Sequence, residues 1–470
     1  MFSKKTVFKN ISLVIFSNTV IIVTSIIFTV IIPKFLGVLG FSYWQLYIFY
    51  LTYIIYLQLG WLEGIYLKEG GKEYKELNFS RYNFQLKTII LFSISISSLI
   101  YTISRSLLSD ANKSKVVGYV CIYFVIVSIR TFFSYIYQAT GKINIYVIMN
   151  IVERTAFLVG CAVLLWLHVD NYEKLIHLDL LCRALATFIA AIYGKELRFN
   201  HSIVSKRDEY AEILDNVRVG SKLMLAAATG LLVNGVVRAF IEHHWDVETF
   251  GRVSLSISLP NFVITFASAV SVVFFPMLKR ITDGIKQREL HRYLDISIQI
   301  LTLGALCFYY PIKLILILWL PEYKTSIDYL AIIFPICYFE SKMSVVNITF
   351  LKAFREEKTI FVVNLISLAV SLGLSIIFID LMNNLILGIF VIVISSIVKC
   401  CISSLFLWHR YQMGSPVEEL LPVFFAIIFV AMNRKIGGET SFWIYLWVFI
   451  IYCVCKRKEI RHCIMFIISK

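Results

Sequence analysis

Arg130, Arg183, Arg238, Lys313, Lys342 and Lys399 each interrupt a long apolar stretch. An ionisable side chain is costly inside such a stretch and is kept where it pairs, meets water or meets a charged ligand. Guanidinium groups grip phosphate oxygens in a two-pronged fork and ammonium groups act as point charges, so a surplus of buried cations suits an anionic substrate. Acids are fewer, and Glu153, Asp179 and Glu340 are the clearest. A carboxylate at membrane depth can take up a proton or a sodium ion and turn ion binding into a conformational bias, which makes these three the coupling or gating candidates. Asp179 and Arg183 stand four residues apart, on one helix face and within pairing distance. Glu153 adjoins Arg154, and this pair reads equally well as a gate or as part of a coupling-ion site.

Depth separates the cations. Arg130 and Arg183 fall well inside their stretches, where a cavity-facing position is expected. Arg238 and Lys313 lie near the outer ends and can reach the headgroups along their aliphatic stems, and Lys399 can do the same inward.

The elements that must hold these side chains are membrane spans. The apolar runs fall at 11–32, 43–67, 87–108, 116–138, 147–167, 176–194, 219–241, 251–275, 293–319, 326–350, 359–379, 385–408, 420–433 and 441–455, each near the length that crosses a bilayer. The chain is thus expected to be an all-α polytopic membrane protein with about fourteen transmembrane helices. Residues 420–433 are short and carry Pro422, so this carboxyl-terminal segment also reads as re-entrant. Pro260, Pro311 and Pro335 are kink positions within spans eight, nine and ten.

Composition agrees. Hydrophobic residues make up 59% and charged residues 16% of the 470, which argues against a soluble enzyme. The mean hydropathy is +0.78. The net charge of +15 comes from short loops rather than one basic face, so it indicates orientation and not nucleic acid. With the amino terminus placed inside, roughly 28 Lys and Arg fall in inside segments and roughly 8 in outside ones, which puts both termini in the cytoplasm. The ten cysteines form no CxxC pair and lie mostly in apolar runs, as small core residues. There is no Walker motif, HExxH, GxSxG elbow or metal-ligand cluster, and no cofactor is expected beyond possible coupling to a proton or sodium gradient.

The longest polar connection, 195–218, follows span six and divides the chain into lobes at 1–194 and 219–408, with two additional helices and a basic tail at 409–470. Two six-span halves keep one orientation and are compatible with duplication.

Several local patterns carry a family resemblance. Lys9-Asn10 precedes a first span ending in Pro33-Lys34-Phe35-Leu36-Gly37, Gln138-Ala139-Thr140-Gly141-Lys142 closes span four, and Phe250-Gly251 is followed by Ala269-Val270-Ser271 and Phe275-Pro276. With the span layout, these make the chain resemble the polysaccharide exporters of the multidrug/oligosaccharidyl-lipid/polysaccharide (MOP) superfamily, in particular the O-antigen and capsule repeat-unit flippases. The resemblance implies a V-shaped pair of six-helix lobes around a cation-lined cavity. It also implies an undecaprenyl-pyrophosphate-linked oligosaccharide as cargo, alternating access, the bacterial cytoplasmic membrane, and glycosyltransferases and a polysaccharide polymerase as partners. A peptidoglycan-precursor flippase is the nearest rival. A drug or cation antiporter of the same fold would want net acid in the cavity, and a membrane polysaccharide polymerase would want a large external loop.

Overall fold

The computed structural model describes residues 4–199, 206–281, 283–436 and 438–461. All regular structure among them is helical, and the chain separates into two compact units, 1–228 and 229–470.

The first unit holds α1 (Lys4–Ile54), α2 (Trp61–Glu69), α3 (Phe79–Leu107), α4 (Ala111–Ala139), α5 (Ile143–Trp166), α6 (Tyr172–Tyr193), the short α7 (Lys195–Phe199) and the first part of α8 (Lys206–His244). Helix starts are written locally. Asn78, Asp110 and Asn171 each accept a hydrogen bond from a backbone N–H of the first turn of α3, α4 and α6, which satisfies donors that a helix beginning leaves open. The runs at 11–32 and 43–67 fall largely in two helices numbered together here as α1, which meet at Gly37, whose φ of 65° and ψ of −179° leave the helical region. Pro33 lies one turn earlier and removes a backbone donor, so the bend is built into the sequence. In this unit α1 packs on α4, α5 and α6, and α4 also packs on α2, α3 and α6. Much of the polar connection 195–218 is helical, in α7 and the start of α8, and residues 200–205 lie outside the described residues.

Backbones approach closely where α2 meets α8. A Cβ at Gly64 would lie 2.0 Å from the carbonyl oxygen of Asn216, and one at Gly220 would lie 1.9 Å from that of Gly60. Glycine is required at this crossing by contact, in the manner of small-residue packing between membrane helices.

The second unit continues α8 and holds α9 (Val247–Arg280), α10 (Gly284–Ala305), α11 (Tyr309–Trp319), α12 (Lys324–Ile333), α13 (Ile336–Lys342), α14 (Ile348–Ala353), α15 (Glu357–Ser375), α16 (Leu385–Tyr411), α17 (Pro416–Lys435) and α18 (Gly438–Cys455). Pro260 sits inside α9, Pro311 opens α11 after a short 3-10 turn at Leu306–Phe308, and Pro335 stands between α12 and α13. There the pair formed by Pro321–Ile333 and Ile336–Ala353 bends by 50°. A π-helical turn, Met343–Asn347, follows α13 directly. On α15, Ser367, Ser371 and Ser375 are fully buried at four-residue spacing, and Ser371 donates to the carbonyl of Val233 at 2.6 Å, so a small-residue face draws α15 against α8.

Among the described residues, eleven helices are long and apolar enough to cross a membrane, or twelve if the bent pair counts as one span. The chain is therefore a multi-pass membrane protein, with fewer candidate spans than the fourteen expected. The difference has identifiable sources: at the amino end one stretch, Phe28–Gln58, is counted across the two helices of α1, and the last apolar helix, Thr440–Cys455, is short. Residues 416–435 form one continuous helix with Pro422 inside its first two turns.

Candidate functional site

The charged residues expected to carry function fall into separate groups, one in the first unit and others in the second.

In the first unit, α4, α5 and α6 bring Arg130, Glu153, Asp179 and Arg183 together. Glu153 lies ten residues into α5 from Ile143, about 15 Å along the axis at the helical rise, which is roughly half the hydrocarbon thickness. Its Oε2 is 2.7 Å from Nη2 of Arg130 and its Oε1 is 3.2 Å from Nη1 of Arg183. Arg183 also donates from Nε to Oδ2 of Asp179 at 2.8 Å, across the four-residue spacing on α6. The hydroxyl of Tyr47 on α1 donates to the same carboxylate oxygen at 2.8 Å, and Asn150 accepts from Arg130 at 2.7 Å, one turn before Glu153. The Arg183 guanidinium stands 5.1 Å from the centre of the Tyr123 ring. Four helices thus contribute to one buried network, with Arg130 at 18% and Glu153 at 6% side-chain exposure.

Arg154 completes the electrostatics. It is close enough to Glu153, Arg183, Asp179 and Arg130 to feel their charges, and it makes no hydrogen bond or ion pair with a described residue. Arg130 keeps its Nε buried and undonated. Three guanidiniums therefore face two carboxylates, and the group carries one formal positive charge, held mainly by Arg154.

In the second unit, the cations expected in a cavity have close acidic partners. Lys342, 1% exposed, lies 2.7 Å from Oδ1 of Asp295 on α10 and 2.5 Å from Oε1 of Glu419 on α17. Lys399 on α16 lies 2.8 Å from Oε2 of Glu340 on α13, and Ser396 donates to the other oxygen of that carboxylate at 2.9 Å. These lysines are not surplus charge: one forms a neutral pair and the other sits between two acids. Arg238 donates to Ser254 at 2.9 Å and lies 5.2 Å from the centre of the Phe250 ring. Lys313 is half-buried on α11 and forms no ion pair with a described residue.

Several partners escape a reading of the sequence. Asp295 follows a polar helix start, and Glu418-Glu419 looks like first-turn acid that complements a helix dipole. Tyr47, Asn150 and Asn347 are short-range ordinary, and only tertiary packing gives them their partners. The Asn347 amide donates to the hydroxyls of Ser403 and Ser404 at 2.7 and 3.0 Å.

No family model and no curated protein sequence matches the chain. Among solved structures it is similar to the lipid II flippase MurJ in an inward closed conformation, with a TM-score of 0.67 and 13% identity over 96% of this chain and 100% of that one. It is also similar to an inward-facing multidrug resistance MATE family transporter of the MOP superfamily, with a TM-score of 0.63 and 12% identity over 84% of this chain and 94% of that one. At such identities the likeness shows the fold alone. The chain shares the fold of these two proteins, one a flippase and the other a transporter of the MOP superfamily.

Proposed function

We propose that this protein flips an undecaprenyl-pyrophosphate-linked oligosaccharide across the bacterial cytoplasmic membrane by alternating access, for capsule, exopolysaccharide or O-antigen synthesis. The observation that carries this reading is the network of the first unit, where three arginines face two carboxylates near mid-span. An arriving pyrophosphate would find Arg154 uncompensated and could draw Arg130 or Arg183 away from Glu153, exchanging one charge-assisted partner for another. Relief of the Glu153 carboxylate then makes it available for a proton, so substrate binding favours proton binding and the two are coupled through the same arginines. Arg238 and Lys313 belong to this reading as further cationic contacts, with Glu340 and Asp179 as gating acids, whereas the carboxylates that hold Lys342 and Lys399 take those two lysines out of it.

Complementation of a flippase-deficient strain tests it. Arg130→Ala and Arg183→Ala should abolish polysaccharide export and leave lipid-linked repeat units on the cytoplasmic leaflet, while Arg→Lys at either position keeps part of the activity. Normal export by both alanine variants at normal abundance would refute the cationic-network mechanism.

A second reading, a peptidoglycan-precursor flippase, is favoured by the full-length similarity to the lipid II flippase. Rescue of cells depleted of their lipid II flippase, with no effect on a polysaccharide-flippase mutant, would select it.

A further inference from the structure

The second unit contains an arrangement that the flipping mechanism does not use. Lys342, at the end of α13 and immediately before the π-helical turn, is clamped between Asp295 and Glu419 at 2.7 and 2.5 Å. Asp295 is 6% and Glu419 8% exposed. Two carboxylates thus share one ammonium away from solvent, one formal negative charge in excess.

The triad is not sealed. Asp295 borders a polar cleft of about 240 Å³ that is also lined by His291, Gln299, Ser415 and Glu418. His291 precedes Asp295 by one helical turn on the same face, is 4% exposed and makes no hydrogen bond with a described residue, although its ring meets Phe350 edge-on at 5.0 Å. A buried imidazole with unused nitrogens, on the wall of the cleft one helical turn from a carboxylate that also borders it, is placed to pass a proton.

We propose that Asp295, Lys342 and Glu419 form a proton-exchange site, loaded from the cleft through His291. One proton leaves a hydronium ion in the cleft, crosses the imidazole and bonds to a carboxylate oxygen of the triad, which becomes neutral overall. A sodium ion is poorly suited to this place, because the Lys342 ammonium already occupies the position between the two carboxylates and would repel it. The other groups facing the triad are Tyr338 from α13, Cys400 and Cys401 from α16 and Tyr452 from α18, none of which supplies a second cation. At the cleft mouth Arg288 donates to the Tyr411 carbonyl at 3.3 Å, Arg292 lies 3.7 Å from Glu459, and Lys456 lies 2.9 Å from Glu459. With Glu418 beside Lys456 as the second acid, these three cations leave the mouth one formal positive charge. Loading would free Lys342 from one partner and so loosen α17 from the π-helical turn. A role in coupling rests on the transporter reading, whereas the proton site stands without it.

The test is infrared difference spectroscopy of the full-length protein in liposomes as the pH is lowered through the neutral range, with no substrate present. A protonated-carboxyl band should rise in the parent and in a variant of an exposed acid, Glu322→Gln, and should be lost in Asp295→Asn or Glu419→Gln. His291→Gln should keep the band and slow its appearance after a pH jump at least about tenfold. Lys342→Gln leaves the two carboxylates facing each other without a cation and should raise the midpoint by about one pH unit or more, a tenfold gain in proton affinity. An unchanged band in both carboxylate variants, an unmoved midpoint in Lys342→Gln, or a midpoint that follows sodium concentration at fixed pH would overturn the proposal. Polysaccharide export does not enter the readout, so failure here and failure of the flippase reading are separable.

Discussion

Glu153 reaches Arg130 across the α4–α5 interface at 2.7 Å, and its second oxygen is taken by Arg183 of α6. One carboxylate therefore balances two guanidiniums from different helices. Removing its charge leaves both arginines buried beside each other and beside Arg154. Glu153→Gln is expected to destabilise the first unit by about 3–5 kcal/mol, the usual cost of breaking a buried pair from one side. A lowered thermal midpoint of the detergent-solubilised protein reports this. The double variant Glu153→Gln with Arg130→Gln should recover part of the loss, and a purely additive double variant would show that the two do not interact.

Tyr47 offers a milder probe of the same network. Its hydroxyl donates to the Asp179 oxygen that Arg183 also uses. Tyr47→Phe keeps the ring and deletes one hydrogen bond to a charged group, so a loss of about 1.5–3 kcal/mol is expected. The thermal midpoint should fall less than in Glu153→Gln, and equal falls would argue against the hub role of Glu153.

What the sequence reveals and conceals follows from interaction range. Asp179 and Arg183 could be seen as neighbours because a helix brings residues four apart together, and their contact at 2.8 Å lies within one element. The capping residues Asn78, Asp110 and Asn171 likewise announce helix starts through bonds two or three residues long. Glu153, Lys342 and Lys399 are different, because their partners lie on other helices: Lys399 finds Glu340 fifty-nine positions away, and Lys342 finds Glu419 seventy-seven away. Depth and charge marked these residues as costly, but only packing decides whether the cost is met by a substrate or by a carboxylate. The span count differs for a local reason. At the amino end the two apolar runs meet at Gly37, whose backbone leaves the helical region, and Phe28–Gln58 counts there as one stretch across both helices.

The α2–α8 crossing yields a steric prediction. With the Cβ at Gly64 or Gly220 about 2 Å from a carbonyl oxygen, alanine at either position forces two backbones apart. Gly64→Ala and Gly220→Ala should each lower folded yield and thermal midpoint, by at least about 2 kcal/mol as for other overpacked sites. Gly373→Ala is the control, since a Cβ there meets nothing within 4 Å and alanine favours the helix. A Gly64→Ala protein as stable as the parent would show that the helices are not held so closely.

The ion pair of Lys399 with Glu340 separates stability from function. Both are largely buried, and the pair is neutral, so Glu340→Gln or Lys399→Met alone strands a charge while the double change removes both. The double variant should be at least as stable as either single one. If Glu340 gates transport, the double variant should restore abundance without restoring export, a split that a merely structural pair would not give. Restored export would assign the pair to packing.

Orientation can be tested through a contact near the ends of two helices. His244, the last residue of α8, places Nε2 at 2.9 Å from Oδ1 of Asp380, close to the turn that precedes α16. The segments at 245–246 and 382–384 must then lie on one side of the membrane, whatever the orientation of the chain. From the distribution of Lys and Arg we expect that side to be the exterior. In a variant freed of native cysteines, single cysteines at Asp246 and Asn383 should both react with an impermeant maleimide in intact cells. One at Lys286, on the far end of α9 from Asp246, should react only after permeabilisation. Opposite labelling of Asp246 and Asn383 would break the contact, and uniform labelling from inside would invert the chain. Because Asp295, and with it the triad, lies nearer the Lys286 end of the Gly284–Trp319 span, the same experiment decides which compartment supplies its protons.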